Sequence, residues 1–432
     1  MKNRDSKIET IVTGYRRGFL SRREALRALG AVGLAAGAAP LLDFAALADE
    51  AGKQAGPGGI PLSRPDKPVT LPLTQDPIKS GMEPEKGPFH IFNYQDYIDQ
   101  VSVIDTFSKK YGVEVVLTTF DSMDQAITRL ASGTVDVDST NITPDRLGQG
   151  VAGKLLQPLN HSYIPNLEKN IFTSLQNPFY DQGSQYSVPY NLYSTGIGWR
   201  TDKVKTDISS LANPWSVFWD EKSKEYTGYT GILDDARESL GMAMQYRGLT
   251  DMNTEDAAVL DKALADIKAT IPISNPKINI TEYQTLADGS SWIHQSWSGD
   301  MLGAIISYWP EGQDKSVLKY WWPGKGKGVT QNDCWSILAK SKNPVLAHLW
   351  LNHITDAEVA YNNTTTYTGY QPAQKSFSAD QLIKDGILPE QLKNIILTED
   401  DVGAGSLQYC ALTPKGQGMW QDAYAKFNSG SE

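Results

Sequence analysis

Three short stretches of the chain set carboxylates beside aromatic rings, and a fourth places a tyrosine in a turn. FNYQDY (92–97) carries Tyr94, Asp96 and Tyr97, SWIHQSWSGD (291–300) carries Trp292, Trp297 and Asp300, QNDCWSI (331–337) carries Asp333, and TGYQP (368–372) carries Tyr370. This combination suits an organic ammonium. The rings attract the cation and its methylene chain at roughly 0.5 to 2 kcal/mol per contact, and the carboxylates neutralise its charge. A fifth stretch, GILDDARESL (231–240), puts Asp234, Asp235, Arg237 and Glu238 at the start of an amphipathic segment. An Asp followed three residues later by a Glu is also the reciprocal capping pattern of a helix start. Both readings stand: Asp234 as a plain capping or turn residue with Arg237 turned to solvent or a neighbouring acid, and Asp235 with Glu238 as cap and binding site at once.

Signals for catalysis are sparse. The chain has no GxSxG elbow, no phosphate-cradling P-loop, no GxGxxG opening a helix after a strand, and no HExxH pair. Its five His, at 90, 161, 294, 348 and 353, lack metal-ligand spacing, and His348 and His353 are five apart on one predicted helix, off a shared face. No cofactor or metal is expected. A secreted hydrolase using Asp235, Glu238 or Asp300 as acid and base remains a remote alternative, since it has no nucleophile or metal signature beside it.

The elements that must hold these residues alternate. FHIFNY (89–94), VEVVLTTF (113–120) and VDVDST (135–140) read as strands, with helices over 97–112 and 122–133 between them. TGIGWR (195–200), GYTGIL (228–233), MLGAIISYW (301–309) and WSILAK (335–340) read as further strands, with helices over 236–247, 255–270 and 343–356. Strand and helix in alternation imply α/β layers with mainly parallel sheets, whose ligands bind at the strand ends. At 432 residues, 40% of them hydrophobic, the chain has material for two such lobes.

A net charge of −10 argues against nucleic acid or an anionic membrane as partner. The first 48 residues read as an export signal: Ser21-Arg22-Arg23 before the run ALRALGAVGLAAGAAPLL resembles the twin-arginine signal, and Ala46-Leu47-Ala48 offers a cleavage site. Its loss takes away eight basic and four acidic residues, leaving a net charge of −14. Residues 49–87, with seven prolines, read as an extended tether outside any core. Cys334 and Cys410 would meet an oxidising compartment, where they either pair or stay as small buried residues.

In the stretches FNYQDYI, YSVPYNLYSTGIGW, GILDDARESLGMAM, HQSWSGD, QNDCWSILAKSKNP and TGYQPAQ, in that order, the chain resembles the extracellular solute-binding proteins of bacterial polyamine (spermidine and putrescine) ABC transporters. The resemblance implies a two-lobed periplasmic-binding-protein fold of type II-like order with a ligand cleft between lobes. Lobe 1 is expected over 88–197 and 330–378, and lobe 2 over 198–329 and 379–432, closing by hinge bending. It implies ligand contacts at Tyr94, Asp96, Tyr97, Thr140 (or its neighbour Asn141), Asp235, Glu238, Trp297, Asp300, Asp333 and Tyr370. Two departures stand out: Gln331 occupies a position that is aromatic in relatives, and Glu399 falls near one that is Gln. The implied function is capture of a putrescine- or spermidine-like cation in the periplasm by a monomer that delivers it to ABC permease subunits, without catalysis. Thiamine, an aminophosphonate or an amino acid derivative are the alternatives within the same fold, and ferric ion is least favoured.

Overall fold

FHIFNY forms β1 (Phe89–Tyr94), a strand buried on both faces: Phe89 and Ile91 lie on one, and Phe92 faces Phe120 on the other at a ring distance of 4.7 Å. In the computed structural model, which describes residues 55–429, β1 pairs in parallel with β2 (Val115–Phe120) and β3 (Ser139–Ile142). The helix between β1 and β2 stops where the sequence predicts, at Gly112, whose φ of 67° places it in the left-handed region that favours glycine. Ser122 caps the helix Met123–Ser132, and Gly133 (φ 62°) ends it.

The described residues divide into two compact units: unit 1 comprises 55–190, 333–359 and 410–418, and unit 2 comprises 191–332, 360–409 and 419–429. The expected exchanges lay at 197/198, 329/330 and 378/379. Unit 1 completes its sheet with the second half of β9 (Thr330–Ile337), antiparallel to β3, with Asn141 opposite Trp335 and Ile142 opposite Cys334.

In unit 2, β5 (Thr230–Leu233) lies parallel to β6 (Lys277–Asn279) and β7 (Ile293–Trp297), and β7 runs antiparallel to the outer part of β4 (Val188–Arg200). β8 (Leu318–Trp321) pairs with the far side of β4, and the two-residue β10 (Gln371–Pro372) meets β4 at Asn191 and Leu192. Among the described residues, no helix is long and apolar enough to cross a membrane.

Two expectations fail here. MLGAIISYW is not a strand: Ser298–Gly303 is an α-helix, and Ala304–Tyr308 continues it with wider turns. Met301, Leu302, Ala304 and Ile305 are all buried against Leu286, Leu318 and Leu392. An apolar run packed on every side has no polar face to reveal its period, so sequence alone does not separate strand from helix there.

The Pro-rich segment is not a free tether over its described part. Ile60, Val69 and Leu71 join the core of unit 1. Val69 donates its N–H to Phe179 O (2.8 Å) and accepts from Gln182 N (2.9 Å), and the Tyr186 hydroxyl donates to Pro72 O (2.8 Å). Glu85 accepts from the N–H groups of Val345 and Leu346, capping the helix Pro344–Ile354. Isolated apolar side chains between prolines suffice to hold the segment down, because proline has already removed much of the entropy of extending it. The export signal over 1–48 lies outside the described residues, as do 49–54.

Candidate functional site

In unit 2 the site begins where β5 ends. Asp235 is the N-cap of the helix Ala236–Tyr246, its Oδ1 accepting from the N–H groups of Arg237 (2.8 Å) and Glu238 (3.0 Å). Asp234 does not cap: its carboxylate is held by the Tyr424 hydroxyl and Asn428. Nor is Arg237 at the surface. It is buried, its guanidinium 4.9 Å from the Tyr409 ring centre and 4.7 Å from that of Trp420, and it donates to Met252 O (2.8 Å) and Asn253 Oδ1 (2.7 Å). The charge that sequence placed in solvent instead fixes the helix between two rings of the C-terminal part of the chain.

With Asp235 satisfying the helix start, Glu238 turns inward. It is 3% exposed. Its Oε1 accepts from Trp297 Nε1 (2.9 Å) and the Thr195 hydroxyl (3.0 Å), and Oε2 accepts from the Tyr409 hydroxyl (3.0 Å). Thr195 and Trp297 reach it together because they are opposite partners on β4 and β7, and opposite residues of an antiparallel pair share a face. Burial pushes the Glu238 carboxyl up to about 7, the Asp235 charge adds to the rise, and the three hydrogen bonds oppose it.

Trp297 precedes the helix Ser298–Gly303, which carries Asp300 in its first turn. Asp300 is buried beside Glu282, the first residue of the helix Glu282–Asp288, and beside Tyr370. Burial and the Asp300 charge hold Glu282 well above the usual carboxyl range. Asp300 is also raised by burial, but bonds from Glu282 and Tyr370 oppose the shift. The proton between the two therefore sits on Glu282, because two adjacent buried carboxyls do not both ionise.

Tyr193 stands 6.1 Å in ring distance from both Trp297 and Tyr370, completing an aromatic wall. Gly299 makes room for it: a Cβ there would come within 2.5 Å of the Tyr370 ring. Unit 2 thus brings together Asp235, Glu238, Trp297, Asp300 and Tyr370, and adds Thr195, Glu282 and Tyr409, which no local pattern marks.

Unit 1 carries a second group. The Tyr97 hydroxyl donates to Asp333 Oδ2 (2.7 Å), and the Tyr190 hydroxyl donates to Tyr97 O (3.2 Å). Burial lifts the Asp333 carboxyl to about 7, against the Tyr97 bond and with the Asp145 charge. Tyr94 lies between Tyr97 (5.4 Å) and Phe120 (4.4 Å). Asp96 occupies the turn after β1 with φ 57°, a conformation that Asp tolerates better than most residues.

Thr140 is buried on β3. Its hydroxyl has the carbonyls of Phe92 (3.2 Å) and Asn141 (3.0 Å) as alternative acceptors for its one proton. Successive residues of a strand face opposite ways, so Asn141, the other register, shares the face of Asp333. Gln331 is buried in unit 2, its amide donating to Tyr409 O (3.1 Å), and Glu399 opens the short helix Glu399–Val402. Cys334 and Cys410 are both buried, and the Cys334 thiol lies 3.4 Å from the Tyr180 hydroxyl.

Residues 102–390 match the family model of the bacterial extracellular solute-binding proteins, and the chain belongs to that family. Among its relatives, the putrescine/agmatine-binding protein of Pseudomonas aeruginosa is 27% identical over 290 residues, 65% of this chain and 77% of the relative. The putrescine-binding periplasmic protein PotF of Escherichia coli is 25% identical over 317 residues, 71% of this chain and 84% of the relative. Of solved structures, the spermidine/putrescine ABC transporter substrate-binding protein PotD of Streptococcus pneumoniae aligns with a TM-score of 0.60 at 23% identity, over 79% of this chain and 98% of that one. The TpPotD lipoprotein of Treponema pallidum aligns at 0.62 and 19% identity, over 78% and 98%. At these identities the structural likeness establishes the fold: the two-lobed α/β architecture of substrate-binding proteins.

Proposed function

We propose that the chain captures a small organic cation of the putrescine or spermidine class outside the cytoplasm and hands it to the permease subunits of an ABC transporter. The observation that carries this reading is the Glu238 cluster: a buried carboxylate aimed by Thr195, Trp297 and Tyr409, with Asp300 in the first turn of the helix that Trp297 precedes. A desolvated ammonium needs carboxylate partners of this kind, and the Tyr193–Trp297–Tyr370 wall suits its methylene chain. The names of the relatives, which bind putrescine, agmatine or spermidine, support the same class. Asp333 with Tyr97 gives unit 1 an anchor of the same kind. The reading includes export by the twin-arginine route, action in the periplasm as a monomer, and no catalytic step.

A thermal-shift screen of the mature chain at neutral pH tests it. Putrescine, agmatine, cadaverine or spermidine at a hundred times its Kd is expected to stabilise the fold by about 2.7 kcal/mol. A response to thiamine or to an anion, with none to any amine, would overturn the proposed ligand class. Release of the signal by the twin-arginine pathway is checked by whether the two-lysine variant of Arg22 and Arg23 fails to leave the cytoplasm.

A further inference from the structure

Beside the Tyr97–Asp333 pair, the sheet of unit 1 buries a polar cluster that this pair does not use. Asn93 and Asn141 are each 0% exposed, and none of their four amide atoms has a hydrogen-bond partner in the protein. The parallel register pairs Ile91 with Ser139 and Phe92 with Thr140, which sets Asn93 beside Asn141 on one face. Across β3 and β9, Asn141 stands opposite Trp335, whose indole N–H is also buried without a partner. Asp333, two residues earlier on β9, shares that face. Both asparagines are the penultimate residues of their strands, at the carboxyl ends where open α/β sheets receive ligands.

Buried amides without partners are costly, and folded proteins satisfy nearly all of them with protein, water or ligand. The donor and acceptor inventory says what would satisfy these. Two amides offer N–H donors and carbonyl acceptors, and the indole adds a donor alone. An ammonium, which only donates, cannot serve the indole or the amide N–H groups. An oxygen that accepts and donates serves all three side chains.

We infer that Asn93, Asn141 and Trp335 form a subsite for a hydroxyl-type oxygen next to the Asp333 carboxylate, filled by the hydroxyl of an amino alcohol or by a water in its place. Resting on the polyamine reading, the inference narrows it: the favoured ligand carries a hydroxyl as well as an amine.

The test has two arms on the mature chain. Calorimetry compares putrescine with 1,4-diamino-2-butanol, for which the subsite predicts at least about tenfold tighter binding, a free-energy difference of about 1.4 kcal/mol. That preference is expected to disappear in Asn141→Leu and in the milder Asn141→Thr. A crystal structure with putrescine, from the unaltered chain, asks whether an ordered oxygen bonds both asparagines. Tenfold preference lost in either variant identifies the ligand hydroxyl. Equal affinities with an ordered water on both amides keep the oxygen site but overturn the hydroxyl-bearing ligand. Equal affinities with the two amides bonded to each other or to protein, and no oxygen between them, overturn it. If neither amine binds, the polyamine reading fails, while the crystallographic arm still decides the subsite.

Discussion

Unit 2 and unit 1 each bury a carboxylate against tyrosine, but they surround it differently. Glu238 takes three side-chain donors on its two oxygens and has Asp235, Asp300 and Glu282 as further acids of the same unit. Asp333 takes the Tyr97 hydroxyl and has asparagine amides along its face of the sheet. The first arrangement concentrates negative charge and depends on a proton held by Glu282 to make that tolerable. The second has fewer acids around it: the charge of Asp145 bears on Asp333, and the neighbours along its sheet face are neutral amides. A site built for charge and a site built for neutral polar contact should respond differently to the same perturbations.

The largest difference is expected from removing each acid. Glu238→Gln should weaken putrescine binding by roughly 100-fold or more, since truncating one partner of a buried charge pair typically costs about 2 to 5 kcal/mol. Asp333→Asn, which leaves the four unit 2 acids in place, should cost only about tenfold. Titration calorimetry on both variants checks this, and equal losses would erase the distinction between the units.

Next in size is the Arg237 clamp. Arg237→Ala removes a cation held between Tyr409 and Trp420 and two hydrogen bonds, so urea unfolding should show a loss of about 2 to 4 kcal/mol. Arg237→Lys should recover little of it, because an ammonium cannot reproduce the flat guanidinium between rings. Full stability in Arg237→Ala would mean the clamp is incidental.

The pH response has opposite signs for stability and binding. The folded-state carboxyls of Glu238 and Asp333 are raised to about 7 from 4.5 and 3.8 respectively. The unfolded chain therefore gives up these protons first. Stability of the ligand-free protein should be greatest below about pH 4 with respect to these groups, and should fall as pH rises to about 7, by at most about 1.4 kcal/mol per pH unit per group. Affinity for a cation should climb over the same interval, because the ligand needs the ionised forms. Glu238→Gln should flatten most of that climb and Asp333→Asn less. Denaturant melts and titrations at pH 5, 6 and 7 measure both slopes.

The smallest effect separates capping from binding at Asp235. Asparagine caps a helix about as well as aspartate, so Asp235→Asn should shift stability by no more than about 0.5 kcal/mol and affinity by less than about tenfold. A loss in Asp235→Asn as large as in Glu238→Gln would make Asp235 a direct ligand group.

What could be read from the sequence follows the range of the forces involved. Gly112, Ser122 and Gly133 mark their helix ends because caps are satisfied within one turn. Trp297, Asp300 and Tyr370 were singled out as acids and rings at strand ends, whereas Asp235 and Glu238 rested mainly on the family resemblance, because their spacing also reads as a helix cap. Thr195 and Tyr409 were not, since they meet Glu238 from 43 and 171 residues away and resemble ordinary strand and loop residues. Glu282 escaped for the same reason: its partner Asp300 lies on another helix. Arg237 was misplaced because an arginine beside acids suggests solvent, whereas two distant rings decided its position. The prolines of 57–72 suggested a tether, and three apolar side chains anchored it.

The account's central claim is that Glu238, buried and aimed by Thr195, Trp297 and Tyr409, is the principal anchor for an ammonium. Isothermal titration of putrescine into the mature chain and into Glu238→Gln at pH 7.5 tests it most directly. The prediction is saturable binding to the unaltered chain and at least about 100-fold weaker binding to the variant, with the variant folded by circular dichroism. Equal affinities in the two proteins would contradict it.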